Sequence, residues 1–316
     1  MGLLIARRLQ RKHDDEMEKS LKLFEQFLLR EVFDTETGEV CNNIGKNAKF
    51  KRLYNAPWLI TFWLEMYRLY KDDRYLVWIE RSMRDYYGKG GAKFYPNGSI
   101  FSDAVKAIRD AGKTETAREL AGLVRTHVEN IRANGVLYPP HEVRFEQTIV
   151  TPALSILSAY YNLIERDPAL LGEAKKHAAI LKRFNGDQPD HKWNSLPIRH
   201  WDGYWFGKRQ LYGDTFPHSA SVHTSNAFLH YAAASGDKAY KTRAYESARN
   251  MLSLYRADGS ASCTYLYPFS VNGVKGEFYD PYANEQDGLL YYLIKFYNAL
   301  AESPLDNDKC IRILEK

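Results

Sequence analysis

The sequence predicts an all-α fold of helical hairpins arranged as an (α/α) toroid, with short β-hairpins in its loops. Apolar residues recur at helical spacing through most of the 316 residues, which is the pattern of amphipathic helices. The predicted helices pair through short turns, whereas longer loops with polar and aromatic residues join one pair to the next. Such a toroid has short turns on one face and functional loops on the other. We expect about ten helices, so a six-hairpin toroid would be incomplete, within a single domain over residues 1–316.

The ends of the predicted helices carry recognisable signals. Pro57 suits the first turn of a helix, and Asp73 suits an N-cap. Gly112, Gly135 and Gly236 stand where helices are expected to end, since glycine tolerates the left-handed backbone of a C-cap. We predict helices over residues 14–33, 57–71, 73–87, 101–111, 114–133, 147–166, 168–184, 219–235, 237–256 and 285–302.

Strand signals are scarce and short. The best of them cover residues 92–100, residues 136–138 and residues 260–279. The last of these contains Asn272-Gly273, a dipeptide that favours the tight turn of a β-hairpin. We therefore expect strands only as small hairpins within the loops.

Composition excludes several classes of protein. The net charge is +5, but the basic residues are spread along helices, so a nucleic-acid partner is not expected. No stretch approaches the roughly 20 apolar residues that span a bilayer, and the N-terminal apolar run is too short for a signal peptide. We expect a cytoplasmic protein without a membrane partner. The three scattered cysteines indicate free thiols.

The stretch from Arg199 to His218 is the most informative part of the chain. It combines large aromatic residues with carboxylates, histidines, cations and glycines between two predicted helices, in a loop over 186–218 without obvious secondary structure. Loops of more than about 15 residues inside a compact domain are usually functional. Flat aromatic faces pack against sugar rings, and carboxylates supply acid and base groups, so this composition suits a carbohydrate site.

Each carboxylate of that stretch also has a structural explanation. Asp202 precedes Gly203 and is compatible with a simple turn, while Asp214 is compatible with the lead-in to a helix near Pro217. Cationic residues of the stretch suit a sugar carboxylate or a salt bridge to either aspartate. The aromatic residues are also compatible with a buried cluster; they are Trp201, Tyr204, Trp205 and Tyr212.

A second polar loop covers residues 136–148. His141 and Glu142 follow a Pro-Pro pair that stiffens the approach, and Glu146 comes directly before the helix predicted from Gln147. A carboxylate at a helix N-terminus is stabilised by the helix dipole, so Glu146 has a structural alternative as a capping residue. The adjacent pair of His141 and Glu142 favours function.

Other chemistries lack their motifs. The chain contains no GxGxxG, no phosphate loop, no HExxH and no GxSxG. Its nine histidines form no metal-ligand pattern, and His218 and His223 are five residues apart, which does not place them on one helix face.

Two segments resemble signatures of the six-hairpin glycosidase superfamily. They read YPPHEVRFEQTIVTPA from residue 138 and HWDGYWFGKRQLYGDTFPH from residue 200, and the similarity extends over most of residues 50–300. More narrowly, they resemble a glycoside hydrolase group with β-glucuronidase activity on polysaccharides. The resemblance implies an (α/α) toroid, no metal or other cofactor, and cleavage of a terminal uronic acid. Members of the group are longer, and a homo-oligomer is one way to complete the pocket.

We therefore predict a hydrolase acting on an oligo- or polysaccharide that contains uronic acid. One carboxylic acid protonates the leaving oxygen while a second carboxylate activates water or attacks the sugar. Asp202 is the expected acid, since crowding by tryptophans should raise its pKa through desolvation, and Glu142 or Asp214 is the base or nucleophile. The expected substrate-binding residues are His141, Glu146, Arg199, His200, Trp201, Tyr204, Trp205, Lys208, Arg209, Tyr212 and His218.

Two other interpretations are compatible with the same residues. A polysaccharide lyase on the same architecture would use Tyr204 or Tyr212 with a histidine to remove the proton next to the uronate carboxylate, while an asparagine or arginine neutralises that carboxylate. A non-catalytic helical scaffold would use the aromatic stretch to bind a carbohydrate or a protein partner.

Overall fold

The computed structural model describes residues 1–49, 52–139, 145–187, 194–199, 204–206, 211–267, 270–271, 274–275 and 286–302. Its residues form two compact units. The first comprises Met1–His141 and Ala159–Leu170, and the second comprises Glu142–Ser158 and Leu171–Lys316. The single domain expected from the sequence stays a prediction.

The first unit is a set of packed helical hairpins. Helix α3 packs on α4 across the short turn that starts at Lys71, and α5 packs on α6 across the turn that contains Gly112. The bounds are α1 (Gly2–Leu9), α2 (Asp15–Glu31), α3 (Asn55–Tyr70), α4 (Arg74–Gly88), α5 (Ile100–Asp110) and α6 (Thr114–Asn134). Helices α2 to α6 match the predicted helices closely, because each has an apolar face that repeats at helical spacing.

The second unit combines helices with short strands. Helix α9 packs on α10 across Gly236, whose left-handed backbone ends α9 as predicted, and α11 packs on α9. The bounds are α8 (Pro168–Leu181), α9 (Val222–Ser235), α10 (Lys238–Met251), α11 (Gln286–Ala301), β1 (Tyr204–Phe206), β2 (Leu211–His218), β3 (Thr264–Tyr267), β4 (Ser270–Val271) and β5 (Val274–Lys275). Helix α7 (Gln147–Leu163) has residues in both units, and so has α8, whose first three residues belong to the first unit.

The predicted strands have mixed outcomes. β4 and β5 pair as an antiparallel hairpin on either side of positions 272 and 273, which confirms the hairpin expected there. The prediction of strands at 92–100 and 136–138 is wrong. Residues 91–93 form a 3-10 turn, and a further turn follows in which Asn97 has a φ of 62°, a left-handed backbone that extended strands do not adopt.

Helix α1 was not expected from the sequence. Its buried residues are Gly2, Ala6 and Leu9, and its eight residues span only about two turns, which is too short for an apolar repeat to be recognised in the sequence. It is held to α3 by Glu65, a fully buried carboxylate. Gln10 Nε2 donates to Glu65 Oε2 at 2.9 Å, and Arg68 of α3 donates to Oε1 at 2.6 Å.

Large aromatic side chains form the core of the first unit. The ring of Trp63 on α3 contacts those of Phe33 and Trp78 at centroid distances of 5.3 and 4.9 Å. Tyr75 packs edge-on against Trp78. Offset and edge-to-face contacts of this kind add to the free energy gained by removing the rings from water.

Two further sequence-based expectations concern thiols and membranes. Cys41 and Cys263 are free and buried, as predicted, and Cys310 lies outside the described residues. In the part of the chain that the structure describes, no helix is both long and apolar enough to cross a bilayer.

His177 on α8 is a buried ionisable group in the second unit. Its Nε2 lies 3.6 Å from Glu173 Oε1 one turn earlier. Burial lowers the pKa of His177 to about 4, although the negative charge of Glu173 acts in the opposite direction. The imidazole is therefore neutral in the folded protein at neutral pH.

Replacing Glu65 with glutamine should destabilise the first unit. Glu65 Oε2 also lies 3.4 Å from Nε of Arg7 on α1. The change removes the charge that compensates Arg68 and Arg7, so we expect the free energy of unfolding to fall by about 2–4 kcal/mol. Urea denaturation measures this change. The control is Glu115→Gln, which breaks an exposed pair with Arg118 and should cost less than about 1 kcal/mol. Equal losses in the two variants would show that Glu65 does not anchor α1.

Acidification should destabilise the protein through His177. Because the folded-state pKa lies below the unfolded value near 6.5, protonation favours unfolding. The free energy of unfolding should therefore be unaffected by this group above about pH 6.5 and should decrease as the pH falls toward 4. We measure the free energy of unfolding by denaturant across this pH range. The decrease should be smaller in His177→Gln than in the parent protein, and the difference between the two decreases should reach up to about 3 kcal/mol. The exposed His13→Gln variant serves as control, and parallel pH dependences of all three proteins would contradict the assignment.

Candidate active site

The structure describes some of the predicted site residues and not others. Glu146, Arg199 and His218 have described side chains, while Tyr204, Trp205, Tyr212 and Asp214 are placed by their backbone in strands. The remaining predicted residues lie outside the described residues: His141, Glu142, His200, Trp201, Asp202, Lys208 and Arg209.

The stretch expected to lack secondary structure contains a β-hairpin. β1 pairs antiparallel with β2, with Tyr204 opposite Gly213 and Trp205 opposite Tyr212. β2 continues into a three-stranded sheet with β3. The expectation of a loop over the whole of 186–218 is wrong, because aromatic residues such as those of β1 favour strands and three residues are too few to show a period.

The strand register groups the predicted residues by face. Directly paired positions share a face, and positions alternate along a strand. Trp205 and Tyr212 are therefore on one face with Asp214, which is two residues further along β2. Asp214 pairs with Tyr267 of β3, which adds a fourth position to that face. One predicted carboxylate and two predicted aromatic residues are thus brought together by backbone pairing.

A change of register in β2 separates His218 from that group. The pairing of β2 with β3 shifts between Thr215 and His218, so that His218 stands opposite Thr264. The His218 side chain is fully buried. Its Nδ1 accepts a hydrogen bond from the backbone N–H of Ala220 at 3.1 Å, and its Nε2 lies 3.9 Å from Cys263 Sγ. Because Nδ1 acts as an acceptor, the proton of the neutral ring is on Nε2.

Glu146 and Arg199 form an ion pair that the sequence did not reveal. Arg199 Nε donates to Glu146 Oε2 at 3.1 Å, and the Thr148 hydroxyl also donates to this carboxylate. The backbone N–H of Gln147 donates to the carbonyl oxygen of Arg199 at 3.3 Å. The Glu146 side chain is 1% exposed and that of Arg199 is 22% exposed. Among the described side chains, Glu146 is thus the ion-pair partner of Arg199.

A group of polar residues follows the sheet at the start of α9, and the sequence analysis missed it. The ring of His223 meets that of Tyr292 on α11 edge-on, with 4.2 Å between centroids. Asn226 Nδ2 donates to the Tyr292 carbonyl oxygen at 3.4 Å. Burial, and secondly the positive charge of Lys295, lower the pKa of His223 to about 4. A histidine and an asparagine three residues apart in a helix are only a faint sequence signal.

Metal ligation has no support among the described side chains. No group of three or more His, Cys, Asp or Glu residues in this part of the chain is arranged to hold a metal ion.

Comparison with solved structures identifies proteins of similar fold. No family model matches the sequence, and no curated protein matches it. A polysaccharide lyase superposes with a TM-score of 0.82 at 34% identity, over 93% of this chain and 44% of the lyase. The chain therefore spans less than half the length of that protein.

More distant structures share the fold. An inactive variant of an α-1,6-mannanase from Salegentibacter sp. HEL1_6, in complex with α-1,6-mannotriose, has a TM-score of 0.58 at 16% identity, over 98% of this chain and 82% of the mannanase. An unsaturated glucuronyl hydrolase has a TM-score of 0.53 at 17% identity, over 98% of this chain and 84% of its own. These proteins are helical toroids of the six-hairpin type, as the sequence predicted. The chain has the fold of the six-hairpin glycosidase superfamily.

Proposed function

We propose that this protein cleaves a polysaccharide containing uronic acid, and that it does so by β-elimination. The observation that carries the proposal is the likeness to a polysaccharide lyase at 34% identity over 93% of the chain. The other structural neighbours with 10–17% identity support the fold alone.

Elimination requires a base and a group that neutralises the sugar carboxylate. The proton next to a carboxylate becomes acidic enough to remove only when the negative charge that develops on the carboxylate oxygens is stabilised. Tyr204 and Tyr212 are the tyrosines proposed for proton transfer, together with a histidine. Lys208 and Arg209 lie between these two tyrosines in the sequence, and we propose that they contact the substrate.

The ion pair limits the role of Arg199. Its guanidinium is already bonded to Glu146, and breaking a pair with a buried carboxylate typically costs several kcal/mol. We therefore propose that Glu146 and Arg199 hold the start of α7 and the approach to β1 together, so that Arg199 is a positioning residue and does not bind the sugar carboxylate.

Hydrolytic removal of a terminal uronic acid is the second candidate function. It is favoured by Asp214, which shares a strand face with the aromatic positions Trp205 and Tyr212. Inverting and retaining glycosidases both need two carboxyl groups, and Asp202 and Glu142 are the proposed partners of Asp214.

The nature of the products distinguishes the two functions. We expect the protein to release products with the ultraviolet absorbance of a conjugated, unsaturated uronate from at least one of hyaluronan, polygalacturonate and alginate. The same polymer with its carboxyl groups reduced to alcohols should not react, since the proton to be removed is then no longer acidic. New reducing ends without this absorbance would instead support hydrolysis. No cleavage of uronate polymers or of an aryl glucuronide would favour the scaffold interpretation.

Substitution of the aspartates tests the same choice independently. If elimination operates, Asp202→Asn and Asp214→Asn should retain turnover within about tenfold, because neither carboxylate is the base. Hydrolysis would require a loss of at least about a hundredfold. The control is Asp258→Asn, which changes a carboxylate in an exposed turn where it bonds Ser260. A hundredfold loss confined to the first two variants would overturn the elimination mechanism.

A further inference from the structure

Polar residues of α9 and α11 contact each other where these two helices pack. His223 lies in the first turn of α9, and Asn226 follows one turn later. On α11, Tyr292 contacts both of them through its ring and its carbonyl oxygen. Lys295 is three residues after Tyr292, and residues three apart share a helix face. The face of α11 that meets His223 therefore also carries Lys295.

The side chains of this group are only partly buried. His223, Asn226 and Lys295 are half-buried, and Tyr292 is 9% exposed. The edge-on contact with Tyr292 restricts the orientation of the His223 imidazole. The group also follows β2 in the chain after only the short turn Ser219–Ser221, so it adjoins in sequence the strand that carries Tyr212 and Asp214.

We propose that His223 and Lys295 form the uronate-recognition and proton-transfer site of the elimination reaction, with Lys295 binding the sugar carboxylate and His223 acting as the base. This inference rests on the proposed function and names the histidine that the reaction uses. Tyr292 acts as a positioning residue for the imidazole. A neutral imidazole has a ring nitrogen that accepts a proton.

The proposed step balances without a further reactant. A ring nitrogen of His223 takes the proton from the carbon next to the carboxylate, and the electrons of that C–H bond form the new C=C bond. The bond to the leaving glycosidic oxygen breaks, and its electron pair stays on the oxygen. One of the tyrosines proposed above, Tyr204 or Tyr212, gives its proton to that oxygen and regains one from the imidazolium, which leaves an unsaturated uronate, a new hydroxyl group, neutral tyrosine and neutral His223.

Charge couples the two residues to the substrate. Burial and the cation of Lys295 keep the pKa of His223 near 4, which makes the imidazole neutral but weakly basic. Lys295 is a described charged group that acts on this ring. A carboxylate bound at Lys295 offsets its positive charge, so the pKa of His223 should rise. The base therefore becomes stronger when an acidic sugar is bound and not when a neutral sugar is bound.

Nuclear magnetic resonance titration of the full chain tests the binding step. With sodium glucuronate at saturation, we expect the pKa of His223 to rise by about one unit or more, and glucose should leave it unchanged. Lys295→Met should abolish the glucuronate effect. An unchanged His223 titration with glucuronate, or an equal shift in Lys295→Met, would overturn the proposal. This measurement does not depend on whether the protein cleaves any polymer.

Kinetics of matched histidine variants test the chemical step on the uronate polymer that the parent protein cleaves best. His223→Gln should lower kcat by at least about a hundredfold with little change in KM, and Lys295→Met should raise KM as well. The control is His230→Gln, two turns further along α9. Thermal unfolding of each variant verifies that it is folded. Equal kcat for the parent and His223→Gln would refute the role of His223 and leave the proposed function intact. A glucuronate effect on His223 in a parent without cleavage activity would refute the proposed function and leave the binding site intact.

Discussion

The ion pair of Glu146 and Arg199 is the constraint on which the candidate site depends. A carboxylate that is 1% exposed requires a compensating cation, since an unpaired buried charge costs several kcal/mol. Arg199 supplies that cation from 53 residues further along the chain. Glu146 stands at the end of one polar loop, directly before α7, and Arg199 stands at the start of the stretch that leads into β1. The residue pair thus joins the two segments in which the sequence concentrates its ionisable and aromatic side chains.

Backbone pairing and helix packing arrange the remaining groups of the second unit. The β1–β2–β3 register brings positions 205, 212 and 214 to one face, whereas the register shift before His218 excludes that residue from the group. The chain then enters α9, where contact with α11 joins His223 to Tyr292. The chemistry that we propose combines a neutral imidazole and a lysine cation, which is a combination suited to an acidic sugar and unsuited to a neutral one.

Sequence patterns were sufficient for the long helices and insufficient where few residues or distant pairs decide the structure. Helices α2 to α11 have enough turns for their apolar repeats to be recognised. Helix α1 was not predicted because its eight residues span only about two turns, and β1 was not predicted because it has three residues. Residues 92–100 resembled a strand, but Asn97 adopts a left-handed backbone there. The sequence indicated Glu146 and Arg199 as separate candidates. Their ion pair could not be predicted, because a local sequence pattern does not show which residues 53 positions apart are in contact. His223 was overlooked because its significance comes from a neighbour on another helix.

Cleavage of a uronate polymer in water labelled with heavy oxygen tests the central claim most directly. Elimination breaks the glycosidic bond without adding water, so the account predicts products that carry no heavy oxygen and whose masses sum to that of the substrate. Hydrolysis transfers one oxygen atom from water to each pair of fragments. Mass spectra that show one heavy oxygen atom per cleavage would contradict the elimination mechanism, and with it the role of His223 as its base.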